Sequence, residues 1–155
     1  MQMPEYLSFS TVPGEPHHGG MCRLHDSIFT GRRSDAIAAE LQRKPRFLIV
    51  LALEKGLVVG YKIGYEDRTE RFYSWLGGVD PEYRGQGIAS ELMARQHAWC
   101  RERGYAVVRT QTKNKWRDML ILNLRHGFAI VGVYTDEKGE PKIILEKRLG
   151  TGESL

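Results

Sequence analysis

The chain has no cysteine framework. Its two cysteines, Cys22 and Cys100, lie far apart without a partner motif, so neither a metal site nor a disulfide network is expected, and both are expected to be reduced and structural. There is no uninterrupted apolar run of bilayer-spanning length, and the N-terminus lacks the basic, then apolar, then small-residue order of a signal peptide. A soluble, cytoplasmic protein without a membrane partner is therefore expected. No repeat or low-complexity linker interrupts the 155 residues, a usual length for one domain with one core, so residues 1–155 are expected to form a single domain with a frayed tail from Gly150. Charge of one sign is not concentrated either. The net charge is +4, and the densest basic pairs, Arg32-Arg33 and Arg43-Lys44, read as solvated surface and not as a nucleic-acid interface. His17 and His18 fall in Pro13 to Gly20, which reads as a loop rich in proline and glycine. Without a second cluster at ligand spacing they are expected to be exposed and not to bind metal.

What the chain does have is a strand-like run, Arg71 to Val79, joined to a helix-like run, Ile88 to Arg103, by a turn bearing Gly85 and Gly87. Glycines there permit backbone angles that bulky residues resist and let a ligand approach the main chain. The first amides of the following helix lack intrahelical partners, and the helix dipole adds partial positive charge, so a pyrophosphate would be stabilised. The turn does not match a nucleoside-triphosphate loop, having no Lys-Ser or Lys-Thr after its last glycine. It also lacks the third glycine of a dinucleotide fingerprint.

The remaining elements follow from periodicity and punctuation. Tyr6 to Val12 reads as a strand, Met21 to Phe29 as a short helix, and Ser34 as the N-cap of a helix through Arg43 that Pro45 ends. Phe47 to Leu53 and Leu57 to Tyr65 form a hairpin signal across Glu54-Lys55-Gly56. Gly77-Gly78 ends the next strand and marks either a plain flexible end or a bulge where something lies against the backbone. Tyr105 to Gln111 reads as a buried strand, and its order after Ile88 to Arg103 implies a right-handed parallel crossover, with the anion-binding turn at the carboxyl end of its strand. Trp116 to His126 reads as a helix that puts Asn123 on its otherwise apolar face, and Phe128 to Tyr134 with Lys142 to Leu149 closes the order as a hairpin. A buried amide at 123 must find partners or cost on the order of 1 to 3 kcal/mol, so Asn123 either bonds nearby backbone or serves a ligand. Asn114 suits a helix N-cap.

The string Val79-x-Pro81-x-x-Arg84-Gly85-x-Gly87-Ile88-Ala89 resembles the acetyl-coenzyme A loop of the GNAT superfamily of N-acetyltransferases. Arg84, Gly87 and Ala89 fill the three positions of that loop's core pattern. The resemblance implies an α/β (α+β) fold with a mixed, mostly antiparallel sheet, a parallel crossover at the cofactor site and helices on both faces. It also implies that the strand carrying Gly77, Gly78 and Val79 splays from its parallel neighbour and offers main-chain partners to the pantetheine arm. Main-chain amides of Arg84, Gly85, Gln86, Gly87, Ile88 and Ala89 would hold the pyrophosphate.

The resemblance further places Asn123, four residues before Gly127-Phe128, where many members carry a tyrosine that protonates the departing sulfur. Asparagine can donate a hydrogen bond to a thiolate but cannot act as a general acid. Asn114 is the candidate for an asparagine whose amide reaches the pantetheine. The implied reaction is direct transfer of acetyl from acetyl-coenzyme A to an amine in a ternary complex, with no metal and no nucleic acid, by an enzyme for which a homodimer is the default. The sequence singles out no general base. Asp80 is nearest the loop but also suits fixing the turn, and Arg109 and Gln111, on the strand where some members carry a glutamate, are not bases at neutral pH. The alternative is a non-catalytic coenzyme A or acyl-coenzyme A binding or sensing module on the same scaffold. Acceptor pockets in the family form from the first two helices and the late hairpin, here Met21 to Lys44 and Tyr134 to Ile144, where Phe29 and Tyr134 either line a pocket or pack.

Overall fold

The architecture was obtained as a computed structural model, which describes residues 3–30 and 33–150. The expected frayed tail beyond Gly150, and Arg32 of the basic pair, lie outside the described residues. In chain order the elements are β1 (Glu5–Phe9), α1 (His17–Ile28), α2 (Asp35–Gln42), β2 (Phe47–Glu54), β3 (Leu57–Arg68), β4 (Arg71–Val79), α3 (Ile88–Glu102), β5 (Val107–Lys113), α4 (Arg117–Arg125), β6 (Ala129–Thr135) and β7 (Pro141–Arg148). The strands form one sheet of seven in the order β1-β2-β3-β4-β5-β7-β6. Every neighbouring pair is antiparallel except β4 with β5, which the α3 crossover makes parallel. The expected mixed sheet with helices on both faces is what the chain forms.

β2 explains why its sequence reads as a continuous apolar run. Leu48, Val50 and Ala52 point into the core that α3 covers, and Ile49, Leu51 and Leu53 into the core that α1 and α2 cover, so both faces of the strand are buried. The turn into β3 is the two-residue Lys55-Gly56, both with left-handed backbone (φ 50° and 83°), the geometry that suits the twist of a tight hairpin. On β3, Gly60 and Gly64 let α3 lie close against the sheet. A Cβ on Gly60 would meet Ile88 at 3.0 Å and Leu92 at 3.2 Å, and one on Gly64 would run into the Phe72 ring, the Tyr73 carbonyl and Gln96.

Several local expectations are corrected. α1 begins at His17, not Met21, and absorbs Gly19 and Gly20: the Glu15 carboxylate accepts from the Gly19 amide at 3.1 Å, and a Cβ on Gly20 would stand 2.9 Å from Val58. Gly20 thus serves helix-to-sheet contact and not a loop, which leaves His17 and His18 half-buried in a first helical turn, with His17 tilted against the Phe9 ring. Ser34 occupies the N-cap of α2 but makes no side-chain cap bond, because its hydroxyl donates instead to Asp26 at 2.7 Å. β1 stops at Phe9, where its pairing with β2 ends. Among the described residues no helix is long and apolar enough to cross a membrane, and no group of three metal-ligating side chains converges.

Because the neighbours of Gly64 include backbone, Gly64→Ala is expected to destabilise the fold by about 1 to 3 kcal/mol through overpacking. Gly14→Ala, at a position with nothing near its would-be Cβ, should stay within about 0.5 kcal/mol of the parent. Denaturant unfolding of the two variants checks the contrast.

Candidate functional site

β4 and β5 pair over four residues only, from Arg71↔Val107 to Ser74↔Thr110. Beyond Ser74 the two strands part. β4 stays on β3 through Gly60↔Val79, and β5 stays on β7 through Lys113↔Lys142, so Trp75 to Val79 keep one ladder and show an open edge to the gap. The parting coincides with a bulge: Ile63 pairs with Leu76 and Gly64 with Ser74, leaving Trp75 as the extra residue. The expected bulge thus sits at Trp75, two residues before Gly77-Gly78. Gly78 has a packing reason of its own, since a Cβ there would meet Ile28 of α1 at 2.8 Å.

The turn after β4 is built by its own residues. Asp80 accepts from the Glu82 amide at 2.9 Å and starts a single 3-10 turn, Pro81–Tyr83, so Asp80 does fix the turn. Arg84 folds back, its Nε donating to the Val79 carbonyl at 3.3 Å, so that acceptor is already engaged by the loop. Gly85 (φ 79°) and Gly87 (φ 82°) are both left-handed with open space where a Cβ would be. Gly87 is the N-cap of α3 and brings no side-chain oxygen to its first amides, so these face outward unpaired. Arg84, Gly85, Gln86 and Gly87 are exposed, Ala89 is half-buried, and the Ile88 side chain is in the core, leaving only its main chain for a ligand.

Across the gap, Asn123 is buried on α4, where its carbonyl accepts the Phe128 amide at 3.1 Å. No described residue hydrogen-bonds its side-chain amide, so of the two alternatives for that amide the bond to nearby backbone is not found. Asn114 is exposed in the turn that follows β5. It does not cap α4, because the helix starts at Arg117 with Trp116 as its N-cap residue. The Asn114 carbonyl instead accepts from Arg117 Nε at 3.0 Å. The carboxyl ends of β4 and β5 point the same way, so the turn at 84–87, Asn114 and the N-terminus of α4 lie at one end of the sheet. Phe29, at the end of α1, meets Trp116 edge-on there at 6.1 Å, which ties α1 to the α4 side.

Two polar groups of residues, one on each face of the sheet, were not anticipated. Facing α1 and α2, Glu146 is bridged by Arg109 at 3.0 Å and Arg71 at 3.7 Å, Gln111 accepts from the Tyr134 hydroxyl at 2.9 Å, and burial pushes the Tyr73 phenol up to about 12. Arg109 and Gln111 are therefore structural partners here, in keeping with their not being bases. Facing α3, Gln96 and His97 are buried, and Lys147 Nζ donates to His97 Nδ1 at 3.3 Å. Burial first, and then the charge of Lys147, hold His97 down to about 3, so it is neutral near pH 7 and too weak a base to serve. The signal for this second group in the sequence is slight: a Gln-His pair inside an amphipathic helix reads as surface. A hollow lined by Arg68, Glu70, Arg71, Glu146 and Arg148 lies toward the opposite end of the sheet, where β4 and β5 are still paired, so the Arg71–Glu146 pair borders that hollow and not the gap.

Residues 19–128 match the sequence model of the Acetyltransferase (GNAT) family. The chain belongs to the GNAT acetyltransferase family. The GNAT fold recurs in an aminoglycoside 6'-N-acetyltransferase solved with coenzyme A, with a TM-score of 0.80 at 14% identity over 96% of this chain and 99% of that one. It recurs also in the ribosomal-protein-S18-alanine N-acetyltransferase from Escherichia coli, with a TM-score of 0.76 at 16% identity over 97% of this chain and 100% of that one. The NatC complex bound to Gag peptide and coenzyme A gives 0.78 at 16% identity, over 94% of this chain and 99% of that one. No curated protein matches the GNAT chain in sequence. At these identities the neighbours establish the shared fold.

The depressed His97 pKa has a thermodynamic consequence. The unfolded chain protonates this imidazole below its ordinary 6.5 and the folded chain only near 3, so the associated stability is complete above 6.5 and is lost as pH falls toward 3. His97→Gln is expected to lose about 3 kcal/mol less than the parent between about pH 7 and pH 4. Denaturant unfolding at the two pH values is the check.

Proposed function

We propose that this GNAT protein transfers the acetyl group of acetyl-coenzyme A directly to the amine of a small molecule or peptide in a ternary complex. The observation that carries the reading is the open edge of β4 leading straight into a glycine turn whose helix amides are unpaired. An extended pantetheine arm can take the place of the missing strand between β4 and β5, with main-chain partners from Gly77 to Val79, and its pyrophosphate then meets the amides of Arg84 to Ala89. Asn114 reaches the arm from the β5 side. Asn123, buried and with its amide unclaimed by any described residue, donates a hydrogen bond to the thioester or to the thiolate that leaves. Residues 1–155 act as one catalytic domain, and no metal enters the scheme.

The reacting amine attacks as the neutral base, so its proton passes to solvent at the gap. Of the carboxylates on the strands that flank the gap, Glu146 is held by two arginines and Glu66 accepts from the Tyr105 hydroxyl. That observation also favours a second reading, a coenzyme A binding or sensing module with little turnover. A panel of polyamines, amino acids, aminoglycosides and peptide N-termini separates the two. The transferase releases coenzyme A thiol with at least one amine, whereas the module is thermally stabilised by acetyl-coenzyme A and releases none.

Gly87→Glu tests the cofactor site directly. A side chain at a left-handed position in the path of the phosphates, carrying like charge, is expected to weaken acetyl-coenzyme A binding by 100-fold or more, on the order of 3 kcal/mol. Isothermal titration measures it, and unchanged affinity removes the site.

A further inference from the structure

Lys62 lies in the middle of β3, inside an otherwise apolar strand. Its neighbours Tyr61 and Ile63 point into the core beneath α1 and α2, so Lys62 points to the other face, between Gly60 and Gly64, which α3 covers. It pairs across the ladder with Gly77, the residue at the middle of the open-edged segment of β4. A methyl group placed on Gly77 would stand 3.7 Å from both Lys62 Cγ and Lys62 Nζ, so the side chain lies across Gly77 with its ammonium over the strand that borders the gap. Among the described residues no carboxylate pairs with it. The charged and titratable groups around His97 on this face are Lys62 itself, Arg101 on α3, Lys147 on β7 and His126 after α4, and the acid further along β3 on the same face, Glu66, accepts from the Tyr105 hydroxyl. The result is a half-buried cation without a counter-ion, at the place where the reaction proposed above creates an anion.

We propose that the Lys62 ammonium stands beside the sulfur of coenzyme A and gives the departing thiolate its proton, the role that Asn123 cannot fill. This rests on the N-acetyltransferase reading. The amine nitrogen forms its bond to the acetyl carbon and later loses a proton to solvent. As the tetrahedral intermediate collapses, the C–S bond breaks with its electron pair going to sulfur. Lys62 passes one proton to that sulfur, becomes a neutral amine and recovers a proton from solvent, so the products are the amide and coenzyme A thiol. Burial holds the Lys62 ammonium down to about 8, close to the ordinary range of a thiol, so the transfer is nearly balanced.

The test needs no acceptor. The thiol of coenzyme A bound to the full chain is titrated by its ultraviolet thiolate absorbance in the parent, Lys62→Met and Lys62→Gln, each first shown to melt cooperatively. A cation at the sulfur favours the thiolate, so the bound thiol is expected to ionise about one pH unit or more lower in the parent than in either neutral variant. His97, Arg101, Lys147 and His126 are common to all three and drop out of the difference. With an amine found by the screen, Lys62→Arg should keep the low thiol pKa yet lower kcat about 100-fold, with little change in the KM for acetyl-coenzyme A, because a guanidinium does not release its proton. Equal thiol titration in parent and neutral variants overturns the assignment, as does full kcat in Lys62→Arg. Failure of the parent to bind coenzyme A overturns the N-acetyltransferase reading instead.

Discussion

The parallel ladder between β4 and β5 stops after four residue pairs, and much of what gives the molecule a candidate site depends on that stop. A strand buried in the middle of a seven-stranded sheet ordinarily has both edges paired, because unpaired main-chain groups away from water are costly. Here the bulge at Trp75 turns β4 aside while β3 follows it and β7 holds β5. The gap is therefore maintained by ordinary ladders on its two outer sides. An open edge in the interior of a sheet presents unpaired main-chain hydrogen-bonding groups, to which an extended amide-bearing chain is complementary.

Close packing on one face and uneven cover on the other set the electrostatics of the sheet. On the α3 face, Gly60 and Gly64 bring the helix so near the sheet that Gln96 and His97 are carried into the interior, and His97 stays neutral because protonation there would be both desolvated and opposed by Lys147. On the other face, α1 and α2 cover β2, β3 and β4 but not β5, β7 and β6, so Glu146 meets Arg109 and Arg71 in a half-covered setting. The carboxylate most conveniently placed on β7 is thereby committed to structure.

The fold order was legible because most elements carry clean local signals. The Lys55-Gly56 hairpin, the apolar runs on either side of it, the glycine turn at 85–87 and the stripe of α3 are each readable within a dozen residues. The misreadings share a cause. Gly20 looks like part of a loop because the reason for a small residue there is Val58, some forty positions away. Ser34 and Asn114 look like caps, but Asp26 takes the hydroxyl of the first and the helix after the second begins two residues later than a cap at 114 would require. In each case a partner distant in sequence, or a turn two residues longer, overrode a local preference.

By itself the sequence determined the secondary-structure order, the parallel crossover and the glycine turn before α3, because periodicity, punctuation and helix-end chemistry act over short range. Tertiary structure alone decided where the sheet opens, that Val79 gives its carbonyl to Arg84, that Asn123 is buried with its amide unclaimed by any described residue, and that Lys62 lies across Gly77. Register, burial and the pairing of charges depend on residues brought together from opposite ends of the chain, and no local pattern encodes which of them will meet.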